Sequence, residues 1–450
     1  MIRETGAHYP LSLGPLPAGW RAGYVGDFAK DIEPGFASGE HNQMGTGIPH
    51  LRPMNVDRDG KIDLSIVKFV AADKDRRRLA SGDVLFNNTN SPELVGKTAV
   101  VNQNSNFAFS NHMTRIRFAE DVLPKFGALQ LYFLWMRGYF RYNCVKHVNQ
   151  ASISSKTLAR AVPFIWAPVD QQERIVAEIE KQFSRLDEAV ANLKRVKANL
   201  KRYTSSVLRA VTDGQFHSEE ANTALEYESN SWRRLTIEEL ASREPRSIQS
   251  GPFGSNLLHS AFQSTGKLVI GIDNVQDGEF SVGSNHRISE SKFTELGKYT
   301  ARPKDVLITV MATVGRVCVL PDSIEPAIIT KHVYRISVDQ SVAVPEYVGI
   351  ALRGAKDVRA QLRESIRGQT RPGLNGNLIR RIRVPVPPLA EQHRIIAEVD
   401  RRLSIVREVE SEVDANLKRA QVLRQAVLAR AFAPPGATCA GQSEHVVATA

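Results

Sequence analysis

The stretch VPVPPLAEQHRIIAEVD, Val384 to Asp400, repeats a pattern already present in FIWAPVDQQERIVAEIE, Phe164 to Glu180. With one half shifted by 220 residues, Pro168, Gln172, Arg174, Ile175, Ala177, Glu178, Ser184 and Glu188 meet Pro388, Gln392, Arg394, Ile395, Ala397, Glu398, Ser404 and Glu408. The register runs on without a gap to Val207 and Leu208 opposite Val427 and Leu428. A register kept over roughly forty residues dictates an architecture used twice.

Both stretches read as long helices. Ile179, Phe183, Leu186, Val190 and Leu193 alternate steps of four and three, and Leu200, Tyr203 and Val207 resume the stripe. Val399, Leu403, Val406, Val413, Leu417 and Val427 give a looser version. Such spacing places apolar groups on one side and leaves Glu, Lys and Arg elsewhere. Asp170 and Glu173 have capping-box spacing, and Pro168 and Pro388 stand where a helix start tolerates proline. A helix of about 40 residues is roughly 60 Å long. Two of them, each with a single stripe, are expected to pack on each other.

The segments before the helices also correspond. Trp20 answers Trp232, and TGIPHLRPMNV (Thr46 to Val56) answers TGKLVIGIDNV (Thr265 to Val275). Asp83-Val84-Leu85 answers Asp305-Val306-Leu307, Gly96 answers Gly315, and His112 and Arg115 answer His332 and Arg335. Short alternating runs broken by Gly, Asn and Asp are strand chemistry. A helical patch then precedes each glutamine-led loop, at Gln150 and at Gln369. The expected fold class is mixed α/β: two similar domains separated by two long helices packed as an antiparallel coiled coil, a pseudo-twofold internal repeat. The expected boundaries are 1–165 and 231–386 for the domains and 166–212 and 387–432 for the helices. A linker over 213–230 and a disordered tail over 433–450 complete them.

The bulk numbers agree with a chain of more than one domain. It has 450 residues and a formal charge of +11, which favours a polyanionic partner, most commonly nucleic acid. Three scattered cysteines suit a reducing cytoplasm rather than a disulfide framework or zinc site. The sequence has no apolar run of membrane-spanning length and no basic-then-apolar signal order.

On these motifs the chain resembles the specificity subunits of Type I restriction–modification systems, from about Trp20 to Phe432. The two P-x-x-x-Q-x-R-I-x-A-E helix starts carry the resemblance, with GDVLFNNTNSPELVGKT and SGPFGSNL as segments typical of target-recognition domains. The resemblance implies that each domain reads one half of a bipartite site on double-stranded DNA. It implies that the helices form a spacer and dock two modification (methyltransferase) subunits, with restriction (motor-nuclease) subunits joining them. It implies a non-catalytic chain that binds no cofactor, with S-adenosylmethionine, ATP and magnesium on the partners.

The residues exclude several rivals. SPELVGKT (Ser91 to Thr98) approaches a phosphate loop, but Ser91 replaces the first glycine and Pro92-Glu93 occupies the anion cradle. A turn, with Lys97 free to touch DNA phosphate, is the expectation. VPVPPL and FAPPG lack the Asn or Asp and the aromatic of an adenine methyltransferase loop. Asp322, Glu325 and Lys331 do not form a nuclease pair, and the histidines lack ligand spacing. A fused methyltransferase-endonuclease needs motifs absent from the sequence, and a DNA-free coiled-coil scaffold is the other rival reading.

Base edges are read by Arg or Lys at guanine and Asn or Gln at adenine. The candidate DNA-binding residues are Asn88, Thr89, Asn90, Lys97, His112, Arg115, Gln150, Arg316, Lys331, His332, Gln369 and Arg371. The cluster Arg76-Arg77-Arg78 is either a DNA contact or a solvated face. Candidate docking residues at the helix starts are Gln172, Arg174, Glu178, Gln392, Arg394 and Glu398.

Overall fold

The computed structural model describes residues 16–71, 77–102, 106–148, 150–214, 232–253, 256–283, 286–366 and 373–432. The expected linker from residue 215 onward, the tail, Arg76, Gln369 and Arg371 lie outside the described residues. The chain divides into two compact units. One runs to Leu193 and resumes at Ala415; the other is Lys194–Asp414.

The first unit is built on a four-stranded antiparallel sheet in the order Ala29–Pro34, Met113–Phe118, Val84–Asn87, Thr98–Val100. A second sheet joins Lys68–Val70, Ile48–Leu51 and Ala108–Phe109, the last pair parallel. Helix Pro124–Met136 contributes Phe126, Leu129 and Phe133 to a core shared with Phe86, Ile116 and Phe164. Strand Pro163–Trp166 pairs antiparallel with Arg21–Tyr24 and leads into the first long helix.

The second unit repeats this plan. Its main sheet runs Ile248–Ser250, Val333–Ile336, Val306–Thr309, Val317–Val319. The registers match: Leu85 faces Arg115 in one unit, and Leu307 faces Arg335 in the other. The parallel pair reappears as Lys267–Ile270 with Ala327–Ile329, and Arg233–Thr236 pairs with Arg383–Val386. Helix Pro345–Gly354 stands where Pro124–Met136 stands in the first unit.

The long helices span Val169–Thr212 and Leu389–Phe432, 44 residues each. Along their middle turns burial repeats every seven residues, the coiled-coil signature. In the first, Ile179, Leu186, Leu193, Leu200 and Val207 form one row; Phe183, Val190, Lys197, Thr204 and Val211 form the other. In the second the rows are Val399, Val406, Val413, Ala420, Val427 and Leu403, Glu410, Leu417, Arg424, Ala431. Tyr203, expected on the stripe, is exposed because the rows step from Leu200 to Thr204. Within the first unit Ile179 shares a core with Leu428 and Phe432; within the second, Leu208 and Val211 share one with Ile395 and Val399. The start of each helix therefore lies beside the end of the other, and the pair is antiparallel.

The helix starts differ from the capping-box expectation. Asp170 lies inside the first turn and pairs with Arg174 at 3.7 Å. The first helical N–H groups of Gln171 and Gln172 donate to the carbonyl of Pro168, and those of Glu391 and Gln392 to Pro388.

Candidate nucleic-acid interface

The polar residues that recur in both halves are mostly consumed by the fold. The buried Asn55 side chain accepts from the Arg52 N–H and donates to the carbonyls of Asp63 and Ile66. Asn274 does the same with the Gly271 N–H and the Ser281 carbonyl. Asp83 and Asp305 each accept a backbone N–H three residues earlier, from Ala80 and Arg302. Gly96 and Gly315 both sit in left-handed backbone, φ 92° and 85°, where glycine is the unstrained choice. Gly96 also leaves no room: a Cβ there would stand 2.2 Å from Phe140.

Several candidates are held within the fold. Arg115 is buried and its two terminal nitrogens donate to Asp31 and Glu33 at 2.6 Å and to the Arg78 carbonyl, so both are engaged within the fold. Asn88 is buried, with its amide donating to the Asn111 carbonyl and Thr114 Oγ1. Lys97 is not free for phosphate: its ammonium is buried and donates to the Val56 carbonyl, and burial lowers its pKa. Its counterpart Arg316 reaches back in the same way to Gln276 at 3.1 Å. The expected turn over Ser91–Thr98 is present. Leu94 and Val95 donate to the Ser91 carbonyl and Gly96 to that of Asn87, so these N–H groups form no anion cradle.

The other first-half candidates converge. Thr89, Asn90, His112 and Gln150 line one groove of about 450 Å³, whose wall also includes Arg52, Met54, Ser91 and Lys97. A small sheet explains the convergence, since Thr89–Asn90 pairs with Ala151–Ser152, and that strand pairs with Val145–Lys146. Gln150 is exposed and Asn90 half-buried, with the Asn90 side-chain oxygen accepting from the Ser91 N–H. An adjoining concavity shares Arg52 and His112 and adds Ser38, His41, His50 and Asn111. His41 Nε2 lies 3.2 Å from His50 Nδ1. Burial, reinforced by His41, pushes His50 down to about 4.

Arg52 was missed among the candidates, although it stands inside a quoted repeat. Its counterpart at that register is Gly271, so the signal was the mismatch inside a matching stretch. Asn90 shows the same contrast, lying opposite Ala312 when Asp83 is set on Asp305. Arg52 and Asn90 differ between halves while the scaffold residues Asn55, Asp83 and Gly96 match, and the groove residues His112 and Gln150 recur as His332 and Gln369. In the second unit Lys331 is exposed and His332 half-buried in the turn before Val333–Ile336. Burial, with Lys331 beside it, lowers the His332 pKa.

At the helix starts the two motif glutamines act as clamps. Gln172 is fully buried; its oxygen accepts the Leu123 N–H at 2.8 Å, and its amide donates to the Asp121 and Ala167 carbonyls. Gln392 repeats this on the Val344 N–H and the Val342 and Pro387 carbonyls. Each fastens its helix to the loop that starts helix Pro124–Met136 or Pro345–Gly354. Both side chains are turned into the fold, away from the surface. Arg174, Ala177, Glu178, Lys181, Ser184 and Glu188 instead form an exposed stripe at helical spacing. The matching Arg394, Ala397, Glu398, Arg401, Ser404 and Glu408 form the same stripe, exposed except at Glu398, which Arg401 and Arg402 cover.

Among the described residues, no group of three or more His, Cys, Asp or Glu is placed to hold a metal, and no helix is long and apolar enough to cross a membrane.

Residues 263–413 match the family model of the Type I restriction modification DNA specificity domain. The chain is 24% identical over 294 residues to the specificity subunit of the Type I restriction enzyme EcoBI of Escherichia coli, covering 64% of this chain and 60% of that one. It is 28% identical over 186 residues to the specificity subunit of EcoKI of Escherichia coli strain K12, covering 40% and 39%. The chain thus spans less than two thirds of the length of either relative. A solved structure concerned with complex assembly and conformational transition of the type I R-M system superposes with a TM-score of 0.69. It covers 93% of this chain and 99% of that one at 20% identity, a likeness of fold.

Proposed function

We propose that this chain, which is similar to Type I restriction–modification specificity subunits, is itself such a subunit and recognises double-stranded DNA sequence-specifically without catalysing a reaction. Each α/β domain reads one half of a bipartite site, and the long helices set the gap between the half-sites. The carrying observation is the division of polar residues within one duplicated scaffold. The matched pairs Asn55 and Asn274, and Asp83 and Asp305, have spent hydrogen bonds on the fold, while Arg52, Thr89 and Asn90, which have no like counterpart in the other half, gather in a groove with His112 and Gln150. A scaffold used twice to read two different half-sites requires that division, because base identity is read by side chains and not by the frame.

In this reading Thr89, Asn90, His112 and Gln150 reach base edges in the first domain, while Lys331, His332, Gln369 and Arg371 serve the second. The remaining basic excess supplies phosphate affinity, so binding falls steeply with salt. The repeated exposed stripe from Arg174 to Glu188 and from Arg394 to Glu408 docks two modification subunits. A matched surface with no packing role suits two copies of one partner. Restriction subunits join that complex, which carries S-adenosylmethionine, ATP and magnesium; this chain binds none of them and works in the cytoplasm.

The test exchanges residues 20–160 for the equivalent domain of another specificity subunit, with a modification subunit present. Shifts of labelled duplexes are then read across a randomised library. One half-site changes and the other stays. A change in both, or in neither, rejects the reading. For docking, Arg174→Glu with Arg394→Glu lowers capture of the modification subunit and leaves the thermal transition in place.

A further inference from the structure

One apolar row recurs closely between the long helices, although Leu200 answers Ala420, and the second row sets Val190 and Lys197 opposite Glu410 and Leu417. Leu186 corresponds to Val406, Leu193 to Val413, Val207 to Val427 and Leu208 to Leu428. Hydrophobic packing along that row therefore barely distinguishes the pairing found inside the chain from two like helices joining across two copies. The charges on the seam do distinguish them.

Arg424, 9% exposed, is ion-paired with Asp187, lies 3.6 Å from Asp59 and places its guanidinium 4.6 Å from the centre of the Phe183 ring. Asp187 also accepts from Lys61 at 2.7 Å. In the other unit Lys197 donates to Asp414 at 2.6 Å. Ten residues forward along the first helix, from Asp187 to Lys197, answer ten residues back along the second, from Arg424 to Asp414. One antiparallel register thus generates both pairs.

At the 220-residue shift, Asp187 corresponds to Arg407 and Asp414 to Lys194. Pairing the second helix with the second helix of another copy, in this register, sets Arg424 against Arg407. Pairing first with first sets Lys197 against Lys194. The twofold symmetry of such a pair makes each clash occur twice. Arg424 would also lose Asp187 and Asp59 while remaining in the seam, and a buried charge without its partner is costly.

We propose that Asp187–Arg424 and Lys197–Asp414, together with Lys194 and Arg407, form a charge code that directs the two long helices to pair with each other and not with the same helix of a second copy. Attraction in one pairing combined with repulsion in its competitors is how near-identical coiled-coil strands are sorted. The code rests on the helices alone and holds whatever the domains bind.

The decisive variant is Lys194→Asp with Arg407→Asp in the full chain. Both side chains are exposed, and neither takes part in the two native pairs. The exchange converts all four homotypic clashes into attractions. Wild type and variant are unfolded, refolded and weighed by light scattering after size exclusion. Wild type refolds to the mass of one copy, and the variant raises the two-copy fraction about tenfold. Lys194→Ala with Arg407→Ala removes repulsion only and falls between them, and it stays informative if the aspartates prevent folding. A wild type that already refolds to two copies, or an unchanged two-copy fraction in both variants, overturns the code.

Discussion

Replacing Gln172 by glutamate tests whether the repeated glutamine is a clamp. The change keeps size and keeps an acceptor for the Leu123 N–H, but it places oxygen where an amide donates to Asp121 at 2.8 Å and Ala167 at 2.7 Å. An ionised carboxylate there loses two buried hydrogen bonds and faces two carbonyl oxygens. At about 1–1.5 kcal/mol per lost bond, plus the cost of the unpaired carbonyls, the deficit is roughly 3–5 kcal/mol. Because the folded state disfavours the charge, the new carboxyl titrates higher when folded than when unfolded. The deficit against wild type is therefore full above the folded pKa and shrinks as pH falls toward the unfolded value near 4.3. Three of the four tryptophans, Trp20, Trp135 and Trp166, lie in the unit that Gln172 fastens, so fluorescence melts report on it. The expected loss at pH 8 is roughly 6–20 °C for a unit of this size. Gln392→Glu should leave that transition nearly unmoved. A Gln172→Glu melt within about 2 °C of wild type at pH 8, or a deficit that grows on acidification, refutes the clamp.

Arg115→Met should cost about 2–3 kcal/mol in urea unfolding, since Asp31 and Glu33 lose their shared partner but remain partly solvated. Gly96→Ala should cost at least about 2 kcal/mol in the same assay, from left-handed backbone and the collision with Phe140 together. His50, held neutral in the fold with a pKa of about 4, makes the first unit lose stability as pH falls from about 6.5 toward 4, because the unfolded chain takes up the proton first. The loss approaches about 3 kcal/mol, and His50→Gln should flatten that part of the pH profile. Asn90→Ala and Gln150→Ala should each weaken binding to the preferred sequence by about tenfold to a hundredfold, with binding to unrelated duplexes unchanged. Equal loss on all sequences would mark them as phosphate contacts.

The duplication made the frame legible. Gln172 and Gln392, Asp83 and Asp305, and Gly96 and Gly315 stand in corresponding places in sequence and in structure because the same backbone needs the same bond or the same φ twice. That legibility also misled. Recurrence drew attention to Arg115 and Gln172 as functional groups, and both are held inside the fold. Arg52 escaped notice because it breaks the repeat, and what it lines was set by a long-range return of the chain that spacing does not encode. Tyr203 fitted the period-of-three-and-four stripe over a short window, but the seven-residue rows over the whole helix exclude it.

The first unit is assembled from two distant parts of the chain, with Phe432 against Phe126 and Phe133 at ring separations of 5.5 and 6.1 Å. Synthesis delivers the first domain early, yet the segment that covers this side of its core emerges more than two hundred residues later. At roughly 5–20 residues per second the nascent domain waits on the order of 10–50 s with those phenylalanines uncovered. During that interval it offers an apolar cleft to chaperones and to neighbouring nascent chains alike. A ribosome that stops short of residue 415 releases a protein whose N-terminal domain, although fully translated, has not finished folding.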